Sequence, residues 1–105
     1  MHPTGGAPAD LDWSDHPERR RWEVRNGDEV VAYAEYRLSV GRITFTHTVV
    51  DPEYEGRGIG SRLARMVLDD AVARGLRIVP RCPFIRAYLG RHSEYADWVD
   101  MPEPR

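Results

Sequence analysis

Lysine is absent from this 105-residue chain, and arginine supplies the permanent positive charge. A P-loop nucleotide site requires a Gly-Lys pair followed by Ser or Thr, so this class of phosphate-binding protein is excluded. Cysteine is almost absent: the single Cys82 excludes a disulfide within the chain and a metal site built from several cysteines. No spacing of histidines and carboxylates suggests another kind of metal site, and we expect no metal.

Long apolar runs and a strong charge imbalance are also missing. No stretch approaches the ~20 apolar residues of a membrane span. The first residues lack the charged-then-apolar order of a signal peptide. The formal net charge of -2 does not favour a non-specific nucleic-acid binder. We therefore expect a cytoplasmic protein with no membrane or nucleic-acid partner, whose oligomeric state the composition does not indicate.

The length and the hydrophobic pattern predict one α+β domain, at residues 21–100. Residues 1–20 are rich in proline, glycine and charge and are expected to form a flexible arm, with Trp13 the one residue expected to dock on the domain. Residues 101–105 are expected to be a loose tail.

Alternation of apolar and polar residues predicts a three-stranded antiparallel meander. Asn26-Gly27 is a strong hairpin signal, because both residues tolerate positive φ, and Gly41 marks a second turn. The third strand reads "ITFTHTVV", and simple alternation puts His47 on one face with Ile43, Phe45 and Val49.

The second half of the chain predicts a helix, a strand and a short helix. Apolar residues at helical spacing precede Gly75, which suits a left-handed C-cap. "LRIVPRC" is a fourth strand. Pro80 cannot donate to a ladder, so this strand lies at an edge, is bulged, or is pulled away from its neighbour. "PFIRAYLG" predicts the short helix, and "SEYADWV" a last helical turn or two.

Three glycines lie between the third strand and the first helix, in "DPEYEGRGIGSR". Glycines at such a junction leave backbone N–H groups pointing outward beside the positive end of the helix dipole, and Arg57 and Arg62 add charge. This pattern suits a phosphate or pyrophosphate. The spacing does not match the dinucleotide fingerprint G-x-G-x-x-G, and the chain has no room for a doubly wound sheet. A tight turn with close helix–sheet packing is the alternative explanation.

Residues 22–98 resemble the Gcn5-related N-acetyltransferases (GNAT proteins), and in particular a short single-domain group with a C-P-F motif. The resemblance lies in "DPEYEGRGIGSRLARMVLDDA" and "RIVPRCPFIRAYLGRHSEY". GNAT proteins carry Q/R-x-x-G-x-G/A at this loop; Gly58 and Gly60 match it, whereas Glu55 departs from it. Ser93 likewise stands where the short group commonly has proline.

The resemblance implies a compact GNAT-like fold in which the fourth strand splays away from the third. Coenzyme A (CoA) would lie in this gap, with acetyl-CoA as cosubstrate and an amine as acceptor. The implied CoA-binding residues are the end of the third strand and the glycine segment: Val49, Val50, Gly56, Arg57, Gly58, Ile59, Gly60, Ser61 and Arg62.

Two residues are candidates for the chemistry. Tyr88 matches a tyrosine that many GNAT enzymes place near the CoA sulfur, as a proton donor; alternatively it is a core aromatic residue. Cys82 could contact the thioester or act as a nucleophile, and contact is favoured because free cysteines are mostly small buried residues. His47 as general base, Glu35 as a proton relay and His92 as a CoA contact are minor alternatives.

We therefore expect an acetyl-CoA-dependent N-acetyltransferase acting on an exposed lysine, a chain terminus or a small amine. The alternative is a protein that binds CoA or acyl-CoA with little catalysis. An interaction domain without a ligand ranks last, since it leaves the glycines and arginines unexplained.

Overall fold

The computed structural model describes residues 11–102 and contains one five-stranded sheet whose spatial order follows the chain order. Strands β1 to β4 pair antiparallel, and β5 adds in parallel to β4. The strands are β1 (Asp12–His16), β2 (Arg21–Asn26), β3 (Glu29–Ser39), β4 (Arg42–Val50) and β5 (Arg77–Pro80). The helices are α1 (Ile59–Ala73) and α2 (Pro83–Gly90). Short 3-10 helices occupy Pro17–Arg19, Pro52–Tyr54 and Ser93–Trp98.

The expected meander, helices and edge strand are confirmed. Gly27 and Gly41 have positive φ at the two turns, and Gly75 follows α1 with a φ of 71°. Helices α1 and α2 contact β4, β5 and each other. Their apolar side chains form one core with inward-facing strand residues, among them Val24, Ala34 and Phe45. None of the helices within residues 11–102 is long and apolar enough to cross a membrane.

The N-terminal segment differs from the flexible arm that the sequence predicts. Asp12–His16 form β1, which pairs with β2, and Tyr36 donates a hydrogen bond of 2.7 Å to Asp15. Trp13 packs against the core, so the docking predicted for this residue is confirmed. Residues 1–10 lie outside the described part of the chain. Pairing with β2 supplies the backbone partners that a short, polar segment lacks on its own.

A bulge in β4 changes which side chains face the core. Glu35 lies opposite His47, whereas Tyr36 lies opposite Phe45, so Thr46 is an extra residue in the ladder. The extra residue shifts the alternation by one, and every side chain after it changes face. The predicted common face of His47 and Phe45 is therefore wrong: Phe45 is buried, whereas the His47 side chain is 71% exposed.

Strand β5 follows only the first half of β4. Parallel pairing runs from Arg42 to Phe45, and the Phe45 carbonyl accepts the last two bonds, from the N–H groups of Arg81 and Cys82. Pro80 has no N–H to contribute, and its carbonyl accepts from Arg86 Nε at 3.2 Å. The fourth strand of the predicted order thus parts from the third, and one edge of β4 is left without a strand partner from residue 46 onward.

Candidate functional site

An open cleft of about 420 Å³ lies where β4 ends and α1 begins. Its walls come from the end of β4, the loop at residues 55–60 (the glycine loop) and the first residues of α1 and α2. We call it the loop cleft; its lining residues are Val50, Tyr54, Glu55, Gly56, Gly58, Ile59, Gly60, Ser61 and Phe84.

The three glycines of the loop serve two different purposes. Gly56 and Gly58 have φ values of 81° and 78°, and a Cβ atom on either would meet nothing within 4 Å. They are glycines because the turn requires positive φ, and the space above them is open. Gly60 is helical, and a Cβ there would lie 2.9 Å from Cζ of Phe84 and 3.5 Å from Cγ2 of Val50. It allows α1 to approach α2 and β4 closely.

Helix α1 presents unpaired N–H groups to the cleft. Its first helical bond runs from Arg62 N to the carbonyl of Gly58, so the N–H groups of Ile59, Gly60 and Ser61 have no helical acceptor. Gly58 provides no side-chain cap, and the first turn carries no acidic residue. The Ile59 side chain is buried, so this residue offers only its backbone. The cleft thus meets the positive pole of the helix dipole.

Two arginines stand beside the glycine loop, each over an aromatic ring. The guanidinium carbon of Arg57 lies 5.1 Å from the Tyr54 ring centroid, and that of Arg62 lies 4.6 Å from the Trp13 ring. These contacts limit side-chain motion while leaving guanidinium donors available. Glu55 lines the cleft from an exposed position.

The unpaired edge of β4 leads from the loop cleft towards β5. Asp51 donates its N–H to the carbonyl of Val31 on β3 at 2.8 Å. Alternation of an antiparallel ladder then directs the backbone groups of Val49 to β3 as well, and those of Thr48 and Val50 to the open edge. Of the predicted pair, Val50 therefore offers backbone groups, whereas Val49 offers its side chain, which lies on the opposite face and is 43% exposed.

Cys82 closes the other end of this edge. Its side chain is buried, and Sγ donates a hydrogen bond of 3.3 Å to Thr48 Oγ1 across the parting of the strands. Tyr88 is buried on α2, with its ring stacked on His92 at a centroid distance of 3.9 Å. His92 thus packs on Tyr88, and its Nδ1 lies 3.6 Å from Glu94.

His47 and Glu35 form a pair on the opposite face of the sheet. His47 Nδ1 lies 3.2 Å from Glu35 Oε1, and both side chains are substantially exposed. No sequence signal links these two residues, because neighbours on two strands become visible only when the register is known.

The site also contains residues that the sequence analysis did not select. Thr48 is the partner of Cys82, and Phe84 forms a wall of the loop cleft over Gly60. Neither has a sequence signal of its own. Phe84 lies within the C-P-F segment and Thr48 beside Val49, so only the packing of β4 against α2 identifies them.

This geometry suits an extended ligand with an anionic end. The N–H groups of α1 and the arginines favour the anion, and the free edge of β4 suits amide groups along the rest of the ligand. The pyrophosphate and the pantetheine amides of CoA fit this arrangement. Within residues 11–102 no group of histidine, cysteine or carboxylate side chains is placed to hold a metal.

Comparison with known proteins identifies the family of the chain. Residues 21–98 match the model of the GCN5-related N-acetyl-transferase family. The mouse protein NATD1 is 38% identical over 92 residues, which cover 83% of this chain and 80% of that protein. Human NATD1 is 33% identical over 96 residues, covering 86% and 81% of the two chains.

Solved structures show the same fold. The solution structure of a GCN5-like protein from Staphylococcus aureus superposes with a TM-score of 0.70 at 24% identity, covering 90% of this chain and 93% of that one. The ribosomal-protein-S18-alanine N-acetyltransferase from Escherichia coli gives a TM-score of 0.52 at 22% identity, over 56% of this chain and 40% of that enzyme.

The compact α+β fold, in which β5 parts from β4, thus has the architecture of an N-acetyltransferase. The chain belongs to the GCN5-related N-acetyltransferase family and is an acyltransferase. Acetyltransferases of this family use acetyl-CoA, and the fold implies an acyl-CoA donor and an amine acceptor in general.

Proposed function

We propose that this protein transfers an acetyl group from acetyl-CoA to an amine. The observation that carries the proposal is the parting of β4 and β5 after Phe45, which leaves a free strand edge ending in the loop cleft. The family match supports an acyl-CoA as the donor. The geometry supports a position for its pyrophosphate, its pantetheine arm and its thioester.

The pyrophosphate is assigned to the glycine loop. The backbone of Gly56, Gly58, Ile59, Gly60 and Ser61 lines the open loop cleft, and Arg57 and Arg62 lie beside it over the Tyr54 and Trp13 rings. Backbone N–H groups, the helix dipole and two guanidinium groups all favour negative charge there. Glu55 opposes it, and its exposed position allows the carboxylate to turn towards water.

The pantetheine arm is assigned to the edge of β4, next to Thr48 and Val50. An extended chain with two amides can add to this edge in the manner of a further strand. The thioester then reaches the parting of the strands, beside Thr48 and Cys82. A strand N–H there is placed to polarise the thioester carbonyl and to stabilise the oxyanion of the tetrahedral intermediate.

Transfer requires a neutral amine to attack the thioester carbon and a proton for the leaving thiolate. The C–N bond forms first and gives the tetrahedral intermediate, the nitrogen then releases a proton to solvent, and collapse of the intermediate breaks the C–S bond so that CoA leaves as a thiol. Tyr88 is proposed as the proton donor to the sulfur, with its ring held by His92. Cys82 is proposed to contact the thioester, because its buried thiol already donates to Thr48.

Within residues 11–102 the acceptor side is open. Only the 3-10 turn Pro17–Arg19 connects β1 to β2, so no helix inserted there covers the sheet next to β4. Such a site suits an amine that projects from a larger surface, such as an exposed lysine or a chain terminus, and it also admits a small amine.

The assignment of the glycine loop is tested with two matched variants. Gly58→Glu places bulk and negative charge in the loop cleft, whereas Gly41→Glu makes the same change at a positive-φ glycine in the turn before β4. Both substitutions impose similar backbone strain. Isothermal titration with acetyl-CoA is expected to show a loss of affinity of at least about 100-fold for Gly58→Glu and little change for Gly41→Glu. Equal affinity in the two variants would contradict the assignment.

An assay of thiol release then distinguishes an acetyltransferase from a protein that only binds CoA. An acetyltransferase liberates CoA when acetyl-CoA and an amine are supplied together, and a binding protein does not. Saturable CoA binding without acceptor-dependent thiol release would support the binding function. Failure of the wild-type protein to bind CoA would remove both.

A further inference from the structure

A second cleft, of about 350 Å³, opens on the face of the sheet opposite α1. We call it the arginine cleft. It lies between the Pro17–Arg20 segment, β3 and the bulge of β4, and the residues that matter here are Arg19, Arg20, Glu35, Arg37, Thr46 and His47. Thr46 is two residues, about 7 Å along a strand, from Thr48 at the proposed thioester position. The two clefts therefore adjoin the same free edge of β4.

The charges of the arginine cleft have two poles. Glu35 and His47 form one, at 3.2 Å from each other. Arg20 and Arg37 form the other; both are exposed, and among residues 11–102 neither has a carboxylate within 4 Å. Arg19 forms a salt bridge of 3.3 Å with Glu23. The free positive charge at this place contrasts with the net charge of -2 for the whole chain.

The backbone of Arg20 is held in an unusual conformation. Arg20 has φ 57° and ψ 42°, the left-handed region that costs a non-glycine residue on the order of 1 kcal/mol. Its N–H donates to the carbonyl of Pro17 at 3.0 Å, and its carbonyl accepts from Tyr36 N at 2.9 Å. Glycine would fit this backbone with less strain. The stability of the fold therefore does not explain why an arginine occupies this position.

From these observations we propose that the arginine cleft binds the acceptor, and that the acceptor is an amine with a carboxylate nearby. Glu35 attracts the ammonium form and holds it beside the bulge, where it releases a proton to solvent before the neutral amine attacks, while Arg20 and Arg37 bind the carboxylate. A polycationic acceptor would be repelled by the positive charges of the two arginines. This inference rests on the proposed acetyl transfer and specifies its substrate class, whether a small amino acid or an acidic peptide supplies it.

The experiment measures thiol release with substrates that differ in the charge of the groups next to the amine. Capped pentapeptides with one lysine flanked by aspartate, glutamine or arginine form one arm; aspartate and its diamide form the other. The expected kcat/KM falls from aspartate to glutamine to arginine flanks, by about tenfold over the series, since each exposed ion pair changes binding up to about fivefold. The arm with the higher kcat/KM identifies whether an acidic peptide or a small amino acid supplies the amine.

Two variants test the arginines. Arg20→Gly removes the charge and fits the left-handed backbone, and Arg37→Gln removes the second charge. Together they are expected to abolish the preference for acidic flanks without changing CoA affinity. Arg65→Gln, on the solvent side of α1, is the control and is expected to keep the preference.

A second readout separates this proposal from acetyl transfer itself. Binding of product peptides, whose lysine is already acetylated and which carry a neutral dye, is measured by anisotropy with CoA present. The same order of affinities is expected in the absence of turnover. Equal binding of acidic and basic peptides, or a preference that survives in the double variant, would overturn the proposal even where CoA binds and thiol is released.

Discussion

At the scale of single residues, Cys82 has two possible roles that its surroundings distinguish. The side chain is buried at the parting of two strands, and the thiol donates to Thr48. A thiol that is already a donor to a neighbouring hydroxyl is suited to contact a thioester, whereas a nucleophile needs a base to remove its proton. Within the described residues the hydrogen-bond partner of the sulfur is this hydroxyl and not a histidine.

Cys82→Ser is therefore expected to retain CoA affinity within about threefold and to keep most of the turnover. Serine preserves a donor to Thr48 and removes a good nucleophile. Titration calorimetry and thiol release measure the two quantities. An acetyl adduct on the wild-type protein, found by intact mass spectrometry after incubation with acetyl-CoA alone, together with loss of turnover in Cys82→Ser, would instead establish a covalent route.

At the scale of elements, the approach of α1 to α2 depends on one helical glycine. Alanine at position 60 would stabilise an isolated helix by about 1 kcal/mol relative to glycine. In this protein its Cβ would meet the end of the Phe84 ring at 2.9 Å, so the ring must move. Phe84 is partly exposed, which allows the movement at modest cost.

Gly60→Ala is expected to change the free energy of unfolding by less than about 1 kcal/mol in the wild-type background. In a Phe84→Ala background, where the ring is gone, the same substitution is expected to stabilise by about 1 kcal/mol. Urea unfolding of the four proteins gives the coupling energy directly. A coupling energy of zero would show that Gly60 and Phe84 do not meet.

At the scale of the whole molecule, a buried carboxylate organises the face of the sheet opposite the helices. Glu23 is fully buried and accepts from Arg21 at 2.8 Å and from Arg25 at 2.8 Å and 2.9 Å. Burial alone would raise the pKa of this carboxyl, but the hydrogen bonds from Arg21 and Arg25 outweigh it and lower the pKa from 4.5 to about 2. The cluster links β2 to the segment that carries Arg19.

The folded protein is accordingly expected to lose stability in acid. Because the folded-state pKa of Glu23 lies below its unfolded value, the contribution is complete above about pH 5 and disappears as the pH falls towards about 2. The shift corresponds to a contribution on the order of 3 kcal/mol. Urea unfolding at a series of pH values measures it.

Glu23→Gln is expected to be less stable than wild type at neutral pH, by an amount that shrinks on acidification. Glu29→Gln, at an exposed position at the start of β3, is the control and should differ little from wild type throughout. A deficit for Glu23→Gln that is independent of pH would show that the carboxylate charge is not what stabilises the folded state.

Most helix ends and turns were predictable from the backbone preferences of individual residues. Helix α2 begins at Pro83, and α1 is followed by Gly75, as the sequence predicts, because proline and glycine control backbone angles without any help from the fold. The Asn26-Gly27 turn was predictable for the same reason. Strand β1 was not, since four of its five residues are polar and the segment acquires extended structure only by pairing with β2.

Within the site, the glycine loop and the resemblance that explains it were predictable from the sequence, because both depend on residues close together in the chain. The bulge at Thr46, the exposure of His47 and the placement of Arg20, Arg37 and Glu35 around one cleft became visible in the folded chain alone. An inserted residue has no compositional signal, yet it changes the face of every later side chain in its strand. Sites assembled across strands depend on that register, which the pairing partners set together.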